Sequence, residues 1–200
     1  TALALRIYRA FGAETVARVK ENPYCLAREI YGVGFVLAAR IARAMGISED
    51  SPVRVQAGLL HVLKKFSDEG HCFIPLALVK SNASALLGFE LEAAESAIEK
   101  LAVEGEIVLE EAGEEGATKV YPQELYHAER RVASAIRSLL STPSGFRDKG
   151  IKGSTLQLFN PSTFSLEKEQ REAILQALQH KVLIITGGPG TGKTTLLVSL

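Results

Sequence analysis

Apolar side chains recur at helical spacing along most of this chain. In the stretch Val53 to Phe66 they fall at Val55, Leu59, Leu60, Val62, Leu63 and Phe66, and Gly70 closes the run. The same spacing predicts helices over Leu76–Leu87 and Glu90–Glu104, stopped by Gly88 and Gly105. Ile107-Val108-Leu109-Glu110 and Lys119-Val120-Tyr121 flank the turn-rich Ala112-Gly113-Glu114-Glu115-Gly116, which predicts a β-hairpin. Helices followed by a hairpin predict a winged-helix-like α+β domain over residues 52–125.

A further amphipathic helix is predicted over Leu125–Leu140. Residues 141–163 mix Ser, Thr, Pro, Gly and Asn with basic side chains and show little periodicity, so residues 126–163 read as a helix and a linker. A new pattern opens at Phe164. A helix over Leu166–His180 leads into a strand over Lys181–Thr186, a glycine-rich loop, and a helix opening near Gly192. That order predicts the entry of an α/β domain over residues 164–200.

The first fifty residues, grouped as residues 1–51, read as short helices joined by tight turns. They carry an internal repeat. Ala4-Leu5-Arg6-Ile7-Tyr8-Arg9-Ala10-Phe11-Gly12 aligns with Ala38-Ala39-Arg40-Ile41-Ala42-Arg43-Ala44-Met45-Gly46 at an offset of 34, with six of nine positions identical. The second copy is preceded by Ile30-Tyr31-Gly32-Val33-Gly34-Phe35, a helix-hairpin-helix pattern. The first copy lacks the equivalent hairpin, so the expectation is of a duplicated helix-hairpin-helix module whose first copy is truncated.

Composition adds one point. The net charge of zero conceals a division: residues 1–60 are net +3, residues 61–125 net −8 and residues 126–200 net +5. A nucleic-acid partner would meet the two ends sooner than the acidic middle. The longest aliphatic run, Val182 to Ile185, is too short to span a bilayer, and no signal-peptide pattern is seen, so no membrane partner is expected, nothing points to export, and the cytoplasm is the expected location. Cys25 and Cys72 lack CxxC spacing and read as free thiols. His61, His71, His127 and His180 show no ligand-like spacing, and no Ser-His-Asp pattern is present.

The chemistry concentrates in Gly187-Gly188-Pro189-Gly190-Thr191-Gly192-Lys193-Thr194, which satisfies GxxxxGK[ST]. Glycines let a backbone curl so that several N–H groups face phosphate oxygens. The following helix adds a partial positive charge at its start. Lys193 reaches the β- and γ-phosphates and the Thr194 hydroxyl ligates Mg²⁺. Gln170 lies on the apolar stripe of its helix with Leu166, Ala173, Ile174, Ala177 and Leu178. A polar amide there either sits wetted at the rim of the stripe or pairs with an adenine edge, to which it can both donate and accept. The Gly32-Val33-Gly34 hairpin either packs tightly or offers free N–H groups to a DNA backbone phosphate, with Arg40 and Arg43 following.

Together, Asn22-Pro23-Tyr24, Gly32-Val33-Gly34-Phe35, Ala39-Arg40-Ile41-Ala42, Gly70-His71, Phe164-Ser165-Leu166 with Gln170, and Ile184 through Thr195 resemble the RecD-like helicases, in the class with a long N-terminal extension that acts without RecB and RecC. Its members are often labelled exodeoxyribonuclease V alpha subunit. The resemblance implies an ATP-hydrolysing superfamily-one motor that moves 5′ to 3′ on single-stranded DNA, with a RecA-like lobe beginning at residue 164. It implies ATP and Mg²⁺ as cofactors, held by Gln170 at the adenine, by Gly187 to Thr195 at the phosphates, and by Thr194 at the metal. It further implies single-stranded DNA and duplex junctions as partners, a monomer, and work in repair or recombination at the nucleoid; it leaves the task of the N-terminal helix-hairpin-helix units open, and the DNA contact expected at Gly32, Val33, Gly34 and Arg40 rests on the residues of the hairpin. The Walker B carboxylate and the arginines of a second lobe cannot be assigned in these residues, so this stretch alone is expected to be inactive. Two alternatives stay open: another P-loop ATPase on DNA, such as a branch-migration motor or recombinase loader, and a docking module without catalysis.

Overall fold

Four short helices open the chain in the computed structural model, which describes residues 2–88, 91–111, 117–142 and 167–198. Helix α1 (Ala2–Phe11) passes through a 3-10 turn at Gly12–Glu14 into α2 (Thr15–Glu21). The Asn22 side chain then accepts the Tyr24 N–H at 3.0 Å, and Pro23 fixes the next turn, so the chain re-enters helix as α3 (Cys25–Glu29). The hairpin leads to α4 (Phe35–Ala44). Their core is Phe11, Tyr24, Leu26, Ile30, Val33, Phe35, Ala38 and Ala42. The Phe35 ring stacks between Tyr24 at 5.7 Å and His61 at 5.3 Å.

Ser51 and Pro52 start α5 (Pro52–Asp68), since proline at the first helical turn forfeits an N–H that has no intrahelical partner. Strand β1 (Ile74–Pro75), α6 (Leu76–Leu87), α7 (Leu91–Val103), β2 (Ile107–Glu110) and β3 (Lys119–Pro122) follow. The sheet order is β1-β3-β2, all antiparallel, with Ile74 opposite Val120 and Val108 opposite Tyr121. Val55, Leu59, Leu63, Val79, Ile98, Leu101, Ile107 and Val120 form a second core between the helices and the sheet. Leu87, at the end of α6, packs into the first core, and Gly58 of α5 makes room for it. The helices and hairpin strands read from periodicity over residues 53–121 are all present. The two-residue β1 is the addition. The expected hairpin turn at residues 112–116 lies outside the described residues.

Helix α8 (Gln123–Ser141) begins in the same unit, and Cα packing separates Thr1–Glu129 from Arg130–Leu200. The expected linker from 143 onward, with Phe164, Ser165 and Leu166, lies outside the described residues. In the second unit α9 (Lys168–Gln179) and α10 (Lys193–Val198) bury Ile174 and Leu196. The strand expected over Lys181–Thr186 is not formed: these residues have no hydrogen-bonded neighbour among the described residues. A run of β-branched side chains favours extended backbone, but a strand exists only through its ladder. The described residues are thus mostly helical with one small antiparallel sheet. Among them no helix is long and apolar enough to cross a membrane.

Candidate functional site

The loop between Thr186 and α10 is shaped by its glycines. Gly190 and Gly192 both adopt φ +77°, a left-handed conformation that side chains rarely take. A Cβ on Gly187 would lie 2.8 Å from Thr191 Oγ1, and one on Gly192 would lie 2.6 Å from Gln170 Nε2. The Thr191 hydroxyl donates to the Gly188 carbonyl at 2.9 Å. The Lys193 ammonium folds back over the loop and donates to the carbonyls of Gly187 at 2.6 Å and Gly188 at 2.5 Å. Gly188, Pro189, Gly190 and Thr194 are exposed. The Thr195 side chain lies outside the described residues.

Gln170 is brought to this loop across 21 residues of sequence: its Nε2 donates to the Thr191 carbonyl at 3.3 Å. Its Oε1 accepts the Glu167 N–H at 3.0 Å. The Glu167 carboxylate in turn accepts the Gln170 backbone N–H, which makes the pair a capping box at the start of α9. Gln170 is half-buried. One amide N–H and one carbonyl lone pair are used, leaving one of each.

The helical hairpin is the second candidate. Val33 is buried and its N–H donates to the Ile30 carbonyl at 3.0 Å. Gly32 turns the chain at φ +82°. Gly34 precedes α4 in extended backbone, and a Cβ there would meet no atom within 4 Å. Arg40 is exposed further along α4. The guanidinium that touches the hairpin is that of Arg6: Nη1 donates to the Tyr31 carbonyl at 2.9 Å and would lie 3.1 Å from a Cβ on Gly32.

These groups suit a nucleotide with its metal. A Cβ at Gly187 or Gly192 would press on Thr191 or Gln170, a lysine ammonium sits over the loop, and the exposed Thr194 hydroxyl is a hard oxygen donor of the kind Mg²⁺ takes.

The comparisons bear on the same two regions. Residues 1–73 match the family model described as the ATP-dependent RecD2 DNA helicase HHH domain. The ATP-dependent RecD2 DNA helicase of Deinococcus radiodurans is 29% identical over 96% of this chain. The chain is thus similar to the RecD-like helicases. It spans 27% of that relative's length. The RecD-like match at the N-terminus takes in α1 to α5, and residues 170–200, from Gln170 through the loop, match the model of an AAA domain.

Two residues at the RecD-like hairpin escaped the sequence reading. Arg6 carried a signal, since the 34-residue offset places it opposite Arg40. Tyr31 carried none beyond its place beside Gly32. The capping role of Gln170 was also missed, because Glu167 is not among the short side chains that most often cap helices.

Proposed function

We propose that this chain forms the DNA-binding front and the nucleotide-binding entry of an ATP-driven DNA helicase. In this reading residues 1–51 are a helix-hairpin-helix region, 52–125 a winged-helix-like domain, 126–163 a helix and linker, and 164–200 the start of a RecA-like lobe. The protein moves 5′ to 3′ on single-stranded DNA and opens duplex junctions in repair or recombination, in the cytoplasm at the nucleoid. The observation that carries the reading is the joining of Gln170, the glycine loop and Lys193 into one cluster.

Each residue has a task that its geometry supports. Gln170 offers its remaining N–H and lone pair to the adenine edge, while the capping box holds its amide against the loop. Lys193, already over the loop, exchanges a backbone carbonyl for a phosphate oxygen, a stronger charge-assisted partner. Thr194 would hold Mg²⁺, and ATP supplies the phosphoryl bond whose hydrolysis drives movement. The hairpin grips the DNA backbone through the Phe35 and Val36 N–H groups at the start of α4, ahead of Leu37, whose N–H donates to the Gly34 carbonyl.

Unwinding by the complete protein tests this reading. A duplex with a 5′ single-stranded tail should be opened in the presence of ATP, and one with a 3′ tail should not. Equal opening of both, or of neither, counts against it.

A further inference from the structure

Among the described residues of the first unit Tyr31 is the most exposed large apolar side chain, at 93%, and it stands at the turn of the helical hairpin. Its carbonyl accepts the Arg6 guanidinium, so a cation and a bare aromatic ring are fixed on one peptide. The Arg6 head lies over Gly32, where the absence of a side chain lets it approach to 3.1 Å of the Cβ position. One of its five N–H groups is committed to Tyr31, and the others remain for an anion.

The surroundings are cationic. Residues 2–13 and 30–48, which carry α1, the hairpin and α4, hold Arg6, Arg9, Arg40 and Arg43 and no carboxylate. Of the nearest acids in sequence, Glu29 pairs with Arg18 at 2.7 Å and Glu49 with Arg43, while Glu14 lies at the end of the 3-10 turn that follows α1. An aromatic ring in a field of arginines suits a polyanion with planar groups better than an apolar protein face.

We propose that Tyr31 and Arg6 form a single-strand contact: the Arg6 guanidinium takes a backbone phosphate and the Tyr31 ring stacks on the adjoining unpaired base of DNA. This rests on the reading of the hairpin as a DNA contact and adds a specificity to it. Backbone N–H groups and arginines hold phosphates of either form of DNA. A ring stacks only where a base face is free, so Tyr31 selects single strands over duplex.

Binding of this chain to a fluorescent single-stranded oligonucleotide and to a blunt duplex of the same sequence tests the proposal. Tyr31→Ala should weaken single-strand binding about tenfold, the scale of one lost stacked base, and leave duplex binding unchanged. Tyr31→Phe should retain wild-type binding. Arg6→Ala should weaken both and reduce the salt slope by about one phosphate. Circular dichroism melts of each variant separate these effects from unfolding. Tyr31→Ala binding single strands like wild type, or losing equally on both DNAs, overturns the stacking role and leaves the hairpin reading standing. A wild-type chain that binds neither DNA removes the hairpin reading and the stacking role with it.

Discussion

Gln170 bridges the start of α9 and the phosphate loop, accepting the Glu167 N–H at 3.0 Å and donating to the Thr191 carbonyl at 3.3 Å. The two bonds use opposite ends of one amide, so they can be separated by substitution. Gln170→Glu keeps an acceptor for the Glu167 N–H and loses the donor. The helix should persist, while ATP affinity falls about tenfold, as expected for one hydrogen bond with its donor removed. The preference for ATP over GTP should fall with it. Nucleotide binding by fluorescence with both nucleotides checks this, and an unchanged preference would remove Gln170 from adenine recognition.

The hairpin glycines differ in kind. Gly32 holds φ +82° beneath Arg6, so Gly32→Ala strains the backbone and displaces the guanidinium. It should lower stability by about 1–2 kcal/mol. Gly34 has extended backbone and open space, so Gly34→Ala should cost only about 0.5 kcal/mol, the loss of a tolerable N-cap. Urea titration of the two variants measures the difference. Gly34→Ala is therefore the cleaner variant for testing DNA contact at this turn.

Gly58 sits in the middle of α5, where glycine is normally unfavourable. A Cβ there would lie 2.3 Å from Leu87 Cδ1 and 2.9 Å from its Cγ. Leu87 is buried in the first core and cannot simply withdraw. Gly58→Ala should lower stability by about 1–2 kcal/mol despite its better helix propensity. A thermal melt showing stabilisation would mean that the α5–α6 contact relaxes freely.

His61 stacks on Phe35, and burial pushes its pKa below the ordinary value, with Lys65 adding in the same direction. The unfolded chain therefore binds a proton more readily than the folded one. His61 contributes stability that is fully present above about pH 6.5 and is lost as pH falls through the lower folded value. The melting temperature should drop across that acid window, and His61→Phe should flatten the drop. An identical pH profile in the variant would assign the effect elsewhere.

The sequence carried most of the helical fold because its apolar periods are long and its stops are glycines. Leu76–Leu87 was legible to the residue, and both hairpin strands were legible from the turn-rich stretch that they flank. Strand β1 was not, since two residues have no period, and it exists only because Ile74 pairs with Val120. The Lys181–Thr186 run shows the converse: strong strand propensity without a described partner. At the candidate site the phosphate loop was legible as a motif. The amide of Gln170 was legible only as a polar residue on an apolar stripe. Its bond to Thr191 depends on how α9 folds back onto the loop, which no local pattern states.

ATP turnover by the complete protein, with and without single-stranded DNA, tests the central claim most directly. Turnover should be stimulated by single strands and reduced about a hundredfold or more by Lys193→Ala, which removes the ammonium held over Gly187 and Gly188. Turnover that survives the substitution, or a wild-type protein that hydrolyses no ATP with any DNA, would contradict it.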